Sequence, residues 1–420
     1  MIMSSLLIIN IGKLVQVREQ TPSPLRGAQM GVLPQIDDAF LFSDKGKIAA
    51  FGPMAELPRS LAQNADKVID AAGRMVLPAF CDCHTHLVYA GSREIEFIDK
   101  IRGLSYQEIA ARGGGILNSA RLLHETSEEE LFRQAMVRVE EVMRFGTGAI
   151  EIKSGYGLTT EDELKMLRVV KRIAEESPLA VKATFMGAHA YPEKYRDDHE
   201  GYIKEIINEM IPAVAAEGLA EYVDVFCEEG FFSKEDSDRI LAAGREFGLK
   251  ATVHANQMSC SGGVEVGVKY DAASVSHLEH AGEAQFAVLE KSETIANLLP
   301  GASFFLNMKY PDARRMLEYD IPVALATNYN PGSCPCGDMK FIMSLACMKM
   351  KMTPEEVINA ATLNSAFAMG LGDTHGSITL GKSASLIITK PIPSLEFIPY
   401  AFSTPLVENL ILDGKSYFKN

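Results

Sequence analysis

The chain has 420 residues, 47% of them hydrophobic, and carries a formal net charge of −14. Its length and apolar content suffice for one large barrel domain with a smaller one, or for two to three ordinary domains. An acidic chain without a basic run is a poor partner for nucleic acid or an anionic membrane, so we expect neither.

The chain start and the cysteines favour a cytoplasmic protein. The first apolar stretch lacks a basic leader and is interrupted by Asn10, Gly12 and Lys13, and no later segment resembles a membrane span. The seven cysteines include two C-x-C pairs, whose spacing differs from the C-x-x-C of a zinc knuckle. Reduced thiols are therefore the simplest interpretation.

The two chain ends have a strand-like pattern. Residues 1–75 contain short apolar or alternating runs separated by Gly, Pro, Asn and Asp, which is typical of strands joined by turns. Residues 376–420 return to this pattern. We expect both ends to form one small β-sandwich domain.

Residues 76–375 alternate continuous apolar runs with amphipathic helical stretches, which predicts a parallel sheet buried on both faces. Ser127 with Glu130, and Thr160 with Glu163, have the spacing of helix capping boxes. Eight strand–helix units predict an α/β fold of the (β/α)8 TIM-barrel type. The predicted strands are residues 75–80, 147–152, 181–187, 222–226, 250–253, 273–276, 293–298 and 322–326.

One motif is misleading. Residues 376–383 match the P-loop pattern, but a helix and a turn precede them and a strand follows. A P-loop instead follows a strand and opens a helix, so we interpret this segment as a turn of the terminal β domain.

Polar side chains follow the predicted barrel strands, whose C-terminal ends face one mouth. A single strand-end histidine is more often a hydrogen-bonded structural residue than a ligand. His84 and His86, however, are two positions apart on an extended segment and project from the same face. Since imidazole commonly binds Zn and Fe, five strand-end histidines at one mouth predict a metal site. The other polar strand-end residues are Lys153, Ser154, Tyr156, His189, Glu228, Glu229, His254, Gln257, His277, Thr327 and Asn328.

These residues belong to segments that closely resemble the imidazolonepropionase family of the amidohydrolase superfamily, over nearly the whole chain. The H-x-H after a strand is shared by the superfamily, whereas the Ala-Gly-Ser-Arg, Lys-Ser-Gly-Tyr-Gly and Asn-Pro-Gly-Ser segments are more specific. The matching segments are residues 78–86, 90–93, 113–116, 151–157, 187–189, 277–279 and 325–333.

The resemblance implies hydrolysis of 4-imidazolone-5-propanoate to N-formimidoyl-L-glutamate, by a cytoplasmic homodimer with one Zn or Fe ion per chain. It implies metal ligands at His84, His86, His254 and Asn328. It implies substrate contacts from Arg93, Tyr106, Tyr156, His189, Gln257, Asn330, Gly332 and Ser333.

The chemistry of the residues supports such roles. The guanidinium of Arg93 can bind the substrate carboxylate through two parallel hydrogen bonds. His277 can polarise the ring carbonyl or steady the attacking water. Gly332 and Ser333 can offer backbone N–H and hydroxyl donors close to the ligand.

Residue 328 departs from the family pattern, in which the position after strand eight is Asp. Asn328 can offer an amide oxygen to a metal, but it lacks the basicity of a general base. An engineered substitution, a natural variant with another base and an inactive homologue are three explanations that the sequence leaves open. The rest of the site is intact, which weighs against long decay.

Other functions are compatible with the same residues. A different amidohydrolase, acting on a related lactam or a nucleobase, is the first alternative; Arg93 and the presence of Gln257 where deaminases use Glu argue against deamination. A non-catalytic imidazolone-binding homologue is the second, because of Asn328. A binuclear site bridged by carboxylated Lys153 is a further variant, although an ion pair explains a buried lysine equally well.

Overall fold

The computed structural model describes residues 5–21, 23–104, 108 and 114–418. The strands are β1 (Leu6–Val15), β2 (Gln35–Asp44), β3 (Lys47–Pro53), β4 (Lys67–Asp70), β5 (Met75–Pro78), β6 (Phe80–Thr85), β7 (Thr147–Lys153), β8 (Ala180–Ala188), β9 (Tyr222–Cys227), β10 (Lys250–Ala255), β11 (Ser274–His277), β12 (Ile295–Leu298), β13 (Val323–Leu325), β14 (Leu386–Thr389), β15 (Val407–Leu412) and β16 (Lys415–Tyr417).

The α-helices connect and cover these strands. Their bounds are Arg59–Asn64, Glu94–Ile101, Ile116–Glu125, Glu128–Arg144, Thr160–Glu176, His199–Glu205, Ile211–Glu217, Lys234–Glu246, Gly263–Lys269, Glu283–Leu289, Pro300–Phe305, Ala313–Glu318, Met339–Met350, Pro354–Asn359, Ser365–Ala368 and Phe397–Tyr400. Within the described ranges, none of these helices is long and apolar enough to cross a membrane.

Strands β6 to β13 form a parallel sheet in sequential order, which confirms the predicted TIM barrel. Hydrogen bonds between β6 and the segment after β13 close it. The amide of Asn328 donates to the carbonyl of His84 at 3.0 Å, and the amide of His86 donates to the carbonyl of Tyr329 at 2.9 Å. Closure therefore ties the H-x-H segment directly to residue 328.

The strands of both chain ends form a second, mixed sheet in the order β16-β15-β14-β5-β1-β2-β3, with β4 paired to β1. Hydrogen bonding joins strands from both chain ends, consistent with the small β domain that the sequence predicts beside the barrel. The sheet has its own apolar core, which includes Leu6, Ile8, Leu41 and Ile388. This agrees with a small unit built from both termini, and its exact boundaries stay a prediction.

The prediction that residues 75–80 form the first barrel strand is wrong. Strand β5 pairs with β1 and β14 in the mixed sheet, and the barrel begins only at Phe80. The error arises because Met75 to Phe80 is one apolar run, and buried strands of two different sheets have the same continuous apolar pattern. His84 consequently lies within β6, and His86 directly follows its end.

Two local predictions have different outcomes. Ser127 caps the helix Glu128–Arg144 by accepting from the amide of Glu130, as predicted. The next helix is instead capped by Thr159, which accepts from the amide of Asp162, so Thr160 is not the cap. The side chain of Glu163 is thereby available for another role, described below.

The P-loop-like segment makes structural contacts. The ammonium of Lys382 is buried and donates to the carbonyls of Gly372 and His375, at 2.5 and 3.0 Å. A strand, β14, follows it. Both features agree with its interpretation as a turn of the terminal sheet.

Candidate metal centre and active site

Three buried histidines meet at the C-terminal ends of the barrel strands. His84 and His86 come from β6 and the residue after it, and His254 comes from the end of β10. One ring nitrogen of each lies within 4.8 Å of the others, and among the described residues this is the group whose side chains could hold a metal ion. The sequence prediction of convergence at the mouth is therefore confirmed for these three.

The positions of the ring nitrogens fit a metal ion. The Nε2 atoms of His86 and His254 are 3.3 Å apart. Two nitrogens bound tetrahedrally to one ion at 2.0–2.1 Å would lie about 3.3–3.4 Å apart. The Nε2 atom of His84 is buried and, within the described part of the chain, has no hydrogen-bond partner. A cation would satisfy all three lone pairs at once.

Burial keeps these imidazoles neutral, as metal binding requires. It lowers the pKa of His84 and of His86 well below the usual value, and Lys153 and the neighbouring histidines lower it further. Burial also lowers the pKa of His254 to about 4, although the carboxylate of Asp224 opposes this shift.

Hydrogen bonds from other strands fix the ring orientations. The Nδ1 of His254 lies 2.9 Å from the carboxylate of Asp224, and the Nδ1 of His84 lies 2.9 Å from the hydroxyl of Ser276. A carboxylate only accepts, so His254 carries its proton on Nδ1 and leaves Nε2 free. Asp224 is not predicted from the sequence, although a single carboxylate within the apolar strand β9 is a usable signal.

Lys153 forms a buried ion-pair network beneath the histidines. Its ammonium is 2.8 Å from both Glu151 and Asp224. Burial acts to lower the pKa of Lys153, but the two carboxylates outweigh it and hold this pKa above the usual value. A protonated lysine is a poor candidate for carboxylation, so the network favours the ion-pair interpretation over a lysine-bridged binuclear site.

A cavity of about 630 Å³ opens beside the histidines. It brings together nearly all the side chains that the resemblance had singled out. Those lining it are His86, Arg93, Tyr156, His189, His254, Gln257, His277, Asn328, Asn330, Gly332 and Ser333. His84 is not among the lining residues, and Tyr106 falls outside the described residues.

Asn328 lies 2% exposed at the cavity wall, with a left-handed backbone at φ +56°. Among the described residues, its amide Nδ2 makes a single long contact, of 3.5 Å with the hydroxyl of Ser333. The side chain is thus fixed mainly by its backbone, which is hydrogen-bonded to His84 and Asn330.

In the loop after Asn328, the backbone amides of Gly332 and Ser333 do not point to a ligand as the sequence suggests. They donate to the side-chain oxygen of Asn330, at 2.8 and 2.7 Å, and are therefore already engaged. Glycine is needed at 332 for another reason: a Cβ there would overlap the guanidinium of Arg93. Gly332 makes room for this cation.

Arg93 is held by a carboxylate that the sequence did not reveal. Its guanidinium lies 2.7–2.8 Å from Glu96, and both side chains are buried. Glu96 also accepts from the amide of Gly115 at 3.1 Å and from Asn118 at 3.2 Å. These bonds fix Arg93 at the start of the helix Glu94–Ile101.

Glu163 organises the loop after β7. Its buried carboxylate accepts from the amides of Gly155, Gly157 and Leu158 at 2.7–3.0 Å. This shapes the segment that carries Tyr156, a cavity residue.

His189 is fixed by the same loop. Its Nδ1 donates to the carbonyl of Gly155 at 2.9 Å, so Nε2 is left as an acceptor. Burial, reinforced by His254, lowers the pKa of His189 to about 3.

His277 ends β11 in an unusual backbone conformation. It has φ +83°, and Leu278 after it has φ +69°. Consecutive non-glycine residues with positive φ are strained, and such strain is concentrated at functional sites. The Nδ1 atom lies 3.6 Å from the buried carboxylate of Glu279, which in turn accepts from Ser303 at 2.9 Å.

Comparison with solved structures shows the fold. The chain is similar to E. coli guanine deaminase, with a TM-score of 0.76 and 14% identity over 99% of each chain. It is also similar to a zinc-bound adenosine deaminase from Xanthomonas campestris, with a TM-score of 0.69, 16% identity and coverage of 98% and 92%.

Comparison with characterised sequences is more specific. The imidazolonepropionase of Flavobacterium johnsoniae is 56% identical over 97% of this chain and 99% of its own length. That of Christiangramia forsetii is 54% identical, covering 98% and 99%. The amidohydrolase family model matches residues 75–416. The chain therefore belongs to the amidohydrolase family, and within it to the imidazolonepropionases.

Proposed function

We propose that this chain hydrolyses the cyclic amide C–N bond of 4-imidazolone-5-propanoate, giving N-formimidoyl-L-glutamate in histidine degradation. The observation that carries the proposal is that one cavity is lined both by members of the histidine cluster and by Arg93. The ring amide of the substrate would lie at the histidine cluster, and its propanoate would lie at Arg93.

His84, His86 and His254 would hold the metal ion. We propose one Zn or Fe ion per chain, with the amide oxygen of Asn328 as a fourth ligand. When bound, such an ion activates water near neutral pH and polarises an amide carbonyl. The histidines are neutral, and the hydrogen bond from His254 to Asp224 holds its Nε2 in position for the metal ion.

The other cavity residues bind and orient the substrate. Arg93, fixed by Glu96, takes the carboxylate. The Nε2 of His189 accepts from a ring N–H, and the amide of Gln257 can both donate and accept. Tyr156, Asn330 and Ser333 complete the wall. His277 steadies water or the leaving nitrogen.

Turnover of freshly prepared 4-imidazolone-5-propanoate tests the proposal. We expect metal-loaded protein to form N-formimidoyl-L-glutamate, identified by mass spectrometry, and chelation to abolish this activity. Arg93→Lys should weaken binding of the propanoate, because a point charge replaces the guanidinium, but should hardly affect an imidazolone without the side-chain carboxylate. An equal loss for both compounds would assign Arg93 a structural role.

A second candidate, a non-catalytic imidazolone-binding homologue, is favoured by Asn328 alone. It predicts that metal-saturated protein binds N-formimidoyl-L-glutamate but gives no turnover above that of the metal in solution. Calorimetry and the turnover assay on the same preparation separate the two candidates.

We also propose, from the resemblance, that the working form is a cytoplasmic homodimer. Size-exclusion chromatography with light scattering tests the assembly: a mass of twice 45.9 kDa is expected, and a monomer at micromolar concentration would contradict it.

A further inference from the structure

A second cation shares the wall of the cavity with Arg93. Arg93 precedes the helix Glu94–Ile101, and Lys100 lies in its last turn. Seven residues make about two helical turns, so both side chains project from one face. Both line the cavity.

The two cations converge on Gly332. The guanidinium of Arg93 occupies the space where a Cβ of residue 332 would lie. The ammonium of Lys100 donates to the carbonyl of Gly332 at 2.5 Å and lies 4.8 Å from the ring centre of Phe305. An ammonium has three donors, and within the described ranges one of them is engaged, which leaves two for a ligand in the cavity.

The charges of the two cations are balanced differently. Glu96 forms a close ion pair with Arg93 and largely neutralises it. No carboxylate of the described residues forms an ion pair with Lys100 within 4.0 Å. Burial and then the proximity of Arg93 lower the pKa of Lys100 to about 8, as expected for a poorly compensated ammonium. Among the residues that the structure describes, the net positive charge at this end of the cavity is therefore that of Lys100.

We propose that Lys100 is a specificity-determining residue, which binds the substrate carboxylate together with Arg93 and makes the site select anionic over neutral ring amides. The inference rests on the proposed function. In this arrangement Arg93 supplies a rigid geometry for the carboxylate, and Lys100 supplies the charge that attracts it.

Ligand binding to zinc-loaded protein tests the proposal without requiring turnover. The probes are imidazole-4-propanoate and 4-propylimidazole, which share ring and chain length but differ in the carboxylate. Calorimetry on Lys100→Met should show about 10- to 100-fold weaker binding of the propanoate, as for loss of a charged hydrogen bond. Binding of the neutral probe should stay within about threefold.

Three further variants sharpen the result. Lys100→Arg should retain most of the discrimination, because it keeps the charge. Lys309→Met removes an exposed charge beside the cavity residue Met308 and should leave both affinities unchanged. Arg93→Lys should also weaken the propanoate selectively. Thermal melting of each variant checks that it is folded.

The outcomes are distinguishable. If Arg93→Lys loses discrimination and folded Lys100→Met keeps it, the role of Lys100 is refuted while the proposed function stands. If neither substitution affects discrimination, the carboxylate site itself is misassigned and the proposed function fails with it. If Lys309→Met weakens binding of imidazole-4-propanoate as much as Lys100→Met does, Lys100 acts only through the overall positive charge near the cavity. That result would overturn the proposal.

Discussion

Replacing Asn328 with aspartate separates substrate binding from proton transfer at this site. Asn and Asp are nearly isosteric, and both tolerate the left-handed backbone at φ +56° that residue 328 adopts. The backbone bonds to His84 and Asn330 do not involve the exchanged atoms. The variant should therefore fold with an unchanged cavity.

The structure indicates how large each effect should be. The only side-chain hydrogen bond of Asn328 among the described residues is the 3.5 Å contact with Ser333, which is at the limit for such a bond. Its loss should cost less than about 1 kcal/mol. A general base contributes typically 10²–10⁴-fold in rate, or about 3 to 5 kcal/mol of barrier. We expect Asn328→Asp to raise turnover by at least about a hundredfold.

Metal binding must be controlled in this comparison. The three histidines are held neutral, so Asn328→Asp adds the cluster's only negative charge at a ligand position and should tighten metal binding. Turnover must therefore be compared at measured, saturating metal. Affinity for N-formimidoyl-L-glutamate should change far less than turnover, because Arg93 is held by Glu96 and Lys100 by the carbonyl of Gly332, and neither bond involves the exchanged atoms of residue 328.

Asn256→Asp is a matched control. Asn256 is also buried, has φ +55° and directly follows strand β10, but its side chain contacts Cys260 and does not line the cavity. The same charge there should give no gain in turnover. Parent protein that already turns over at several per second, and is not improved by Asn328→Asp, would refute the reasoning and identify another base, with His277 the first candidate.

Three further predictions concern the metal and the carboxylate site. His84→Ala/His86→Ala should reduce bound metal from about one ion per chain to almost none by elemental analysis, and stoichiometric metal in the variant would contradict the assignment. Asp224→Asn should weaken metal binding about 10- to 100-fold in chelator competition, whereas unchanged affinity would make this carboxylate irrelevant to the centre. Gly332→Ala should displace Arg93 and weaken imidazole-4-propanoate binding with metal content intact; normal binding would show that the loop adjusts.

The barrel and the convergence of the histidines could be predicted because both follow from local pattern. Continuous apolar runs separated by amphipathic helices identify buried parallel strands, and the fold then brings their C-terminal ends together. The error at β5 shows the limit of this reasoning. Val76 and Ile150 are both fully buried, yet they belong to different sheets, and only pairing partners distinguish them.

The buried carboxylates could not be assigned from sequence. Each carboxylate has a partner that the sequence pattern does not reveal. Glu96 pairs with Arg93, Asp224 bonds to His254 on the next barrel strand, and Glu163 accepts from amides of the loop that it shapes. A helix-capping interpretation of Glu163 was reasonable from spacing alone, but burial makes a carboxylate seek several donors, and three loop amides supply them.

These supporting carboxylates also bear on the meaning of Asn328. Asp224 remains bonded to His254, Glu96 to Arg93, and Glu163 to the loop that carries Tyr156. Each is buried and costly to keep without its partner, so a site no longer under selection would lose such groups early. Compared with the aspartate that the resemblance implies at this position, Asn328 lacks a charge and a proton acceptor, while every described support is in place. The single substitution Asn328→Asp should therefore raise turnover without a second, compensating substitution. A gain that required a second substitution would contradict the hypothesis that residue 328 supplies the missing general base.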